Sequence, residues 1–155
     1  VNCAGVFPQA LIEDITDEDW SRVMRINLDG AFYACRAAAP YLKKSGKNGR
    51  IINLSSQAAL NGTAHGVHYG ASKAALLGLT YCLAKELGPD GITVNAILPG
   101  RIDTEMLAYA TPERRAQWLQ STPLGRFGDT ADIAELAVFL ASDKGGSSSP
   151  GLGLR

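Results

Sequence analysis

Tyr69 and Lys73 bound the run Tyr-Gly-Ala-Ser-Lys, and Ser56 lies thirteen residues upstream. A phenol, an ammonium and a hydroxyl at these spacings could converge on one carbonyl. A tyrosine titrates near pH ~10 and is by itself a poor acid or base at neutral pH. A lysine four residues later lies one helical turn away on the same face. Its charge favours the phenolate and is expected to lower the tyrosine pKa. Ser56 is placed to hydrogen-bond a substrate oxygen. Such a set moves a proton to or from an alcohol while a hydride moves elsewhere.

Y-x-x-x-K alone is common on helix surfaces, so the elements around it decide its meaning. Arg50 to Leu54 (Arg-Ile-Ile-Asn-Leu) reads as a short buried strand. Ser55-Ser56 follows at its carboxyl end, and Gln57 to Gly62 reads as loop. Ligands of open α/β sheets bind outside the carboxyl ends of strands, so Ser56 and the start of the Tyr69 helix fall on one functional edge. Ser55 is the rival hydroxyl, at a spacing of fourteen from Tyr69. Upstream, Thr16 is placed to cap a long helical segment over Asp17–Lys44, with Asp17, Glu18 and Asp19 favourable to its dipole. Downstream, a helix from about His68 to Leu87 ends at Gly88-Pro89-Asp90-Gly91. A strand over Ile92–Leu98 is broken by Pro99-Gly100. The segment from Arg101 to Thr122 is irregularly helical, with Pro112 starting a turn of helix. A last helix spans about Thr130 to Ser142, capped by Asp129 or Thr130.

With these elements in place the chain resembles the short-chain dehydrogenase/reductase family, from Val1 to about Asp143. Val1-Asn2-Cys3-Ala4-Gly5 is similar to the family's N-N-A-G motif, with Cys3 in place of the second Asn. Asn27 in Ile26-Asn27-Leu28 is similar to the helix asparagine of the family's proton relay. Ser56, Tyr69 and Lys73 match the catalytic serine, tyrosine and lysine in type and spacing. Asn95-Ala96-Ile97-Leu98-Pro99-Gly100 matches N-x-x-x-P-G, with Ile102 and Thr104 at the cofactor-contacting positions after it. Pro123 to Gly128 and Phe139 to Asp143 are also family-like. Within the family, the 3-oxoacyl-carrier-protein reductases are nearest in pattern.

The resemblance implies an NAD- or NADP-dependent oxidoreductase that interconverts a ketone and a secondary alcohol. It makes Tyr69 the general acid or base, Ser56 the group orienting the substrate oxygen, and Lys73 a ligand of the nicotinamide ribose. Asn27 would hold a water connecting Lys73 to solvent. Asn2, Ala4, Gly5, Pro99, Gly100, Ile102 and Thr104 would lie against the cofactor, with Asn2 also bracing the sheet. Arg101–Thr122 becomes the substrate-covering segment, to which Met106, Leu107, Tyr109, Trp118 and Leu119 could give apolar contact. Sugar epimerases share Y-x-x-x-K, but the pattern from Pro99-Gly100 to Thr104 favours simple oxidoreduction. A homo-oligomer, dimer or tetramer, is implied for the full-length form.

Composition narrows the alternatives. Formal net charge is zero, which calls for neither nucleic acid nor an anionic membrane as partner. Cys3, Cys35 and Cys82 are scattered and odd in number, and read as buried thiols of a reduced, cytoplasmic protein. No metal site is expected, although His65 and His68 have a spacing that could share a helical face. The apolar runs are shorter than the ~18 residues of a membrane helix.

The expected fold class is α/β: the C-terminal part of a Rossmann-like doubly wound parallel sheet. No glycine-rich dinucleotide motif occurs in the sequence. The family's first three βα units, roughly 80 to 90 residues at about 30 per unit, are expected to be missing, and the last strand as well. Residues 1–143 form the partial domain, and 144–155 a Gly/Ser-rich divergent tail without strand pattern. The competing expectation from these absences is a non-catalytic fragment acting at most as an association partner.

Overall fold

A computed structural model describes residues 1–46, 48–107 and 109–146 in full and the backbone of 153–154. Three parallel strands form the sheet in the order β1 (Arg50–Leu54), β2 (Thr93–Ile97), β3 (Gly153–Leu154). Asn53 of β1 stands opposite Ala96 of β2, and Asn2 bridges to Asn53 from the other side. Asn2 N–H donates to the Ile52 carbonyl at 2.8 Å and its own carbonyl accepts from Leu54 N–H at 3.0 Å. Asn2 thus adds an isolated parallel bridge along β1.

The helices are α1 (Asp17–Met24), α2 (Gly30–Lys44), α3 (Ala58–Asn61), α4 (Val67–Leu87), α5 (Pro112–Gln120), α6 (Thr130–Ala141) and α7 (Asp143–Gly146). Thr16 caps α1 by accepting from Asp19 N–H at 3.0 Å. Asp129 and Asp132 close a capping box on α6. Gly91 takes φ +75° to turn the chain into β2, a conformation glycine adopts without penalty.

Alternation along β1 sorts the two layers. Ile51 packs with Cys35, Ala84, Leu87, Ile92 and Val94 beneath α2 and α4. Ile52 faces the other way and packs with Ile97 and Leu140 of α6. Period-two side chains with helices on both faces give the doubly wound arrangement. Each fully buried side chain such as Leu87 or Ile92 contributes roughly 1.5–3 kcal/mol. Asn53, wholly buried, donates to Thr80 Oγ1 of α4 at 2.9 Å and accepts from Asn2 Nδ2 at 2.8 Å.

Three expectations are corrected here. The long helix over Asp17–Lys44 is interrupted by a π-helical turn, Arg25–Asp29. Residues 58–61 form the short helix α3 within the expected loop, because Gln57, Ala58 and Asn61 close local backbone hydrogen bonds there. The tail does supply a strand: β3 pairs parallel with Ala96 and Ile97. Two residues pair through their backbone alone and leave no alternation to read. The Gly/Ser-rich stretch 147–152 and residue 155 lie outside the described residues.

Candidate active site

A cleft of about 690 Å³ opens at the carboxyl ends of β1 and β2. Its wall brings together Gly5, Ser56, Tyr69, Lys73, Pro99, Gly100, Ile102 and Thr104, most of the residues the sequence nominates. Backbone contacts fix the two strand ends against each other. Ser55 N–H donates to the Ile97 carbonyl and Gln57 N–H to the Pro99 carbonyl, both at 2.9 Å.

The rival serines are separated by their partners. Ser55 is buried and donates its hydroxyl to the Lys73 carbonyl at 2.7 Å, so it pins the strand end to α4. Ser56 accepts from Ala58 N–H at 3.1 Å, and its hydroxyl is near enough to Tyr69 to act on the phenol's pKa. Ser56 is therefore the serine beside the phenol.

Tyr69 is 8% exposed and Lys73 5% exposed, one turn apart on α4. The ammonium lies 5.8 Å from the Tyr69 ring centroid and donates to the Leu54 carbonyl at 2.7 Å. Burial pushes the Tyr69 pKa up, and the neighbouring Ser56 hydroxyl opposes that rise. The expected lowering by Lys73 is corrected: desolvation of the phenol is the larger influence. Burial also lowers the Lys73 pKa to about 8, leaving the ammonium ready to release its proton near neutrality.

Asn27 is 1% exposed and sits in the π-helical turn. Such turns often mark functional sites. Its Oδ1 accepts from Val6 N–H at 2.8 Å, and its Nδ2 donates to the Val6 carbonyl and to Ser72 Oγ, both at 3.0 Å. Asn27 thus ties the loop after Asn2 to α4 from behind the cleft and is absent from its wall.

Sequence reasoning missed several wall residues. Phe7 packs on Tyr69 with ring centroids 4.4 Å apart and fixes the phenol's plane. Gln9, Gln57, Arg101 and Arg114 also line the cleft. Arg101 had a legible signal, since it directly follows Pro99-Gly100; Phe7 and Arg114 had none. Met106, Leu107, Tyr109 and Trp118 line the cleft as expected, whereas Leu119 does not. The covering segment is anchored by the Ile102–Gly128 bridge, where Gly128 N–H donates to the Arg101 carbonyl and Asp103 N–H to the Gly128 carbonyl, both at 2.9 Å.

Other placements differ from expectation. Asn2 turns its side chain away from the cleft, donating to Asn53 Oδ1 and to Cys35 Sγ at 3.4 Å, and its role is to brace the sheet. Ala4 is exposed and off the cleft wall, because Gly5 rather than Ala4 faces Lys73. Of the three cysteines only Cys35 is buried. Cys3 is exposed on the cleft wall, and Cys82 is exposed on α4. His65 occupies a turn at φ +57° while the buried His68 starts α4, so the two share no helical face.

The charged groups on the cleft wall are all positive: it holds Lys73, Arg101 and Arg114 and no Asp or Glu. A β-carbon at Gly5 would stand 3.3 Å from Lys73 Nζ, so glycine keeps the approach to that ammonium open. No helix among the described residues is long and apolar enough to cross a membrane.

Comparison with known proteins agrees with this architecture. The family model described as enoyl-(acyl carrier protein) reductase matches residues 1–148. The 3-oxoacyl-[acyl-carrier-protein] reductase of Thermotoga maritima is 40% identical over 144 residues, covering 93% of this chain and 58% of the relative. The L-rhamnose-1-dehydrogenase of Scheffersomyces stipitis is 46% identical over 145 residues, covering 92% and 56%. A crystal structure from Beutenbergia cavernae, described provisionally as an NAD(P)-dependent gluconate 5-dehydrogenase with bound NADP, superposes with TM-score 0.94 at 34% identity, covering 99% of this chain and 61% of that one. The chain spans less than two thirds of the length of these relatives.

Proposed function

This chain belongs to the short-chain dehydrogenase/reductase family, and on that premise we propose that its cleft interconverts a ketone and a secondary alcohol with NAD or NADP. One observation carries this reading: Ser56, Tyr69 and Lys73 share one cleft wall, with the Lys73 ammonium 5.8 Å from the buried Tyr69 ring. The dinucleotide, when bound, supplies or takes the hydride.

The residues of the chain handle position and protons. Ser56 and Tyr69 together donate to a ketone oxygen, orienting it and stabilising the charge that develops there. In reduction Tyr69 gives its proton to that oxygen. Its raised pKa keeps it protonated at neutral pH, as a general acid must be. In oxidation its phenolate, favoured at higher pH, takes the alcohol proton. Lys73, with its pKa lowered to about 8, lies 5.8 Å from the phenol ring and is suited to restoring the proton. Its remaining N–H donors fit ribose hydroxyls, and Pro99, Gly100, Ile102 and Thr104 fit the nicotinamide end. Phe7 holds the phenol plane. Asn27 acts as a positioning residue by tying Val6 to Ser72 of α4.

Titration of the chain with NADH and NADPH, followed by nicotinamide fluorescence, tests the cofactor half of this reading. Saturable binding that is lost in Lys73→Met supports it. Absence of binding to the folded chain contradicts it.

A further inference from the structure

We propose that Arg101 and Arg114 form an anion subsite at the mouth of the cleft, so that the carbonyl compound handled at Tyr69 carries a carboxylate or phosphate group. This deepens the oxidoreductase reading and rests on it for the identity of the reacting group. The subsite itself is argued from geometry.

Both guanidiniums rest against one indole. Arg101 lies 5.2 Å and Arg114 5.6 Å from the Trp118 ring centroid. Stacking on an aromatic ring fixes the guanidinium plane and leaves its N–H edge free to grip a planar anion. Neighbouring arginines are neutralised differently: Arg115 pairs with Asp103 at 2.8 Å and Arg126 with Asp132 at 3.7 Å. Among the described residues neither Arg101 nor Arg114 has a carboxylate within 4.0 Å. Arg101 has only a long contact to Ser121 Oγ, 3.4 Å. Two like charges held on one ring repel each other, and an anion between them removes that repulsion.

The backbone of the subsite is fixed. The Arg101 carbonyl accepts from Gly128 N–H at 2.9 Å, and Arg114 N–H donates to Thr111 Oγ1 at 3.3 Å. A chain of ring contacts connects it to the reacting centre. Trp118 meets Tyr109 at 6.2 Å, Tyr109 meets Phe7 at 6.2 Å, and Phe7 meets Tyr69 at 4.4 Å. These rings form an aromatic wall between the subsite and the reacting centre.

The test uses Trp118 as reporter in a Trp20→Phe background; Trp20 lies on α1, away from the cleft wall. Emission is followed during titration with succinate, inorganic phosphate and succinamide at constant ionic strength, with circular dichroism confirming the fold of each variant. Succinate or phosphate is expected to give a saturable change that succinamide does not. Arg101→Gln and Arg114→Gln are each expected to weaken it about tenfold, the scale of one charge-assisted hydrogen bond, and the double variant to abolish it. A response to succinate alone identifies a carboxylate, and to phosphate alone a phosphate group. An equal response to succinamide or to chloride, no response, or an unchanged response in the double variant overturns the subsite. The same titration in Tyr69→Phe separates the two readings: anion binding is expected to persist there even if no ketone is ever reduced.

Discussion

The Lys73 ammonium donates to the Leu54 carbonyl oxygen at 2.7 Å. This contact joins α4 to the last residue of β1. Ser55 reinforces it by donating to the Lys73 carbonyl at 2.7 Å. Two hydrogen bonds of opposite direction therefore lock the strand end to the helix that carries the acid/base pair. The position of the ammonium beneath Tyr69 follows from the sheet rather than from helix spacing alone.

Holding that ammonium in a buried place has a pH signature. Its folded pKa is about 8 against an ordinary 10.5. Below about pH 8 the folded chain carries the full cost of the buried charge, roughly 3 kcal/mol at 1.36 kcal/mol per unit. From pH 8 upward the unfolded chain binds more protons, so stability rises with pH. Denaturant unfolding at pH 7 and pH 9.5 is expected to show wild type gaining about 2 kcal/mol relative to Lys73→Met. The Tyr69 pKa is raised from 10.0 and stays outside this window. Parallel pH profiles of the two proteins would contradict the burial of the charge.

Asn27 satisfies both backbone groups of Val6 and also reaches Ser72. Asn27→Ala leaves these groups without that partner at a site almost closed to water. Each orphaned polar group costs about 1–3 kcal/mol, and because the Val6 groups are only part-buried a loss toward the low end of their sum, about 2–4 kcal/mol, is expected in equilibrium unfolding. A loss under about 0.5 kcal/mol would mean that water replaces the amide without penalty.

Gly66 caps α4 against the ring of Phe7, and a β-carbon there would come within 2.7 Å of Phe7 Cε2. It would also stand 3.0 Å from Thr63 Cγ2, so Gly66→Ala forces both side chains to shift, at a cost of about 1–3 kcal/mol, the range of overpacking. The displaced ring no longer supports Tyr69, and a misplacement of ~1 Å can cost about 10²-fold in rate. A much larger fall in kcat than in Tm is the expected outcome. An unchanged kcat would remove Phe7 from the positioning of Tyr69.

Local chemistry made part of this molecule legible before its structure. Thr16, Gly88-Pro89-Asp90-Gly91 and the β-branched run at Ile51-Ile52 each carry a signal within a few residues and lie where that signal points, and of the two candidate caps of α6 the structure selects Asp129. Ser56, Tyr69 and Lys73 were legible because their spacing on a strand-loop-helix unit constrains them. The rest depends on distant partners. Phe7 reaches Tyr69 across more than sixty residues of chain. The outward turn of Asn2 is set by Asn53, and the upward shift of the Tyr69 pKa by burial that spacing does not reveal. The π-helical turn around Asn27 is likewise fixed by its hold on Val6 and Ser72, neither adjacent in sequence.

The role of Tyr69 as general acid is read out by the rate of NADH or NADPH oxidation in the presence of a panel of ketones, with and without carboxylate groups, for wild type and Tyr69→Phe. Ketone-dependent oxidation by wild type is expected, with a loss of about 10²–10⁴-fold in Tyr69→Phe, the range of a general acid, and an unchanged circular dichroism spectrum. No ketone-dependent rate from the folded chain, or an equal rate in Tyr69→Phe, would mean that Tyr69 is not the acid of a ketone reduction in this cleft.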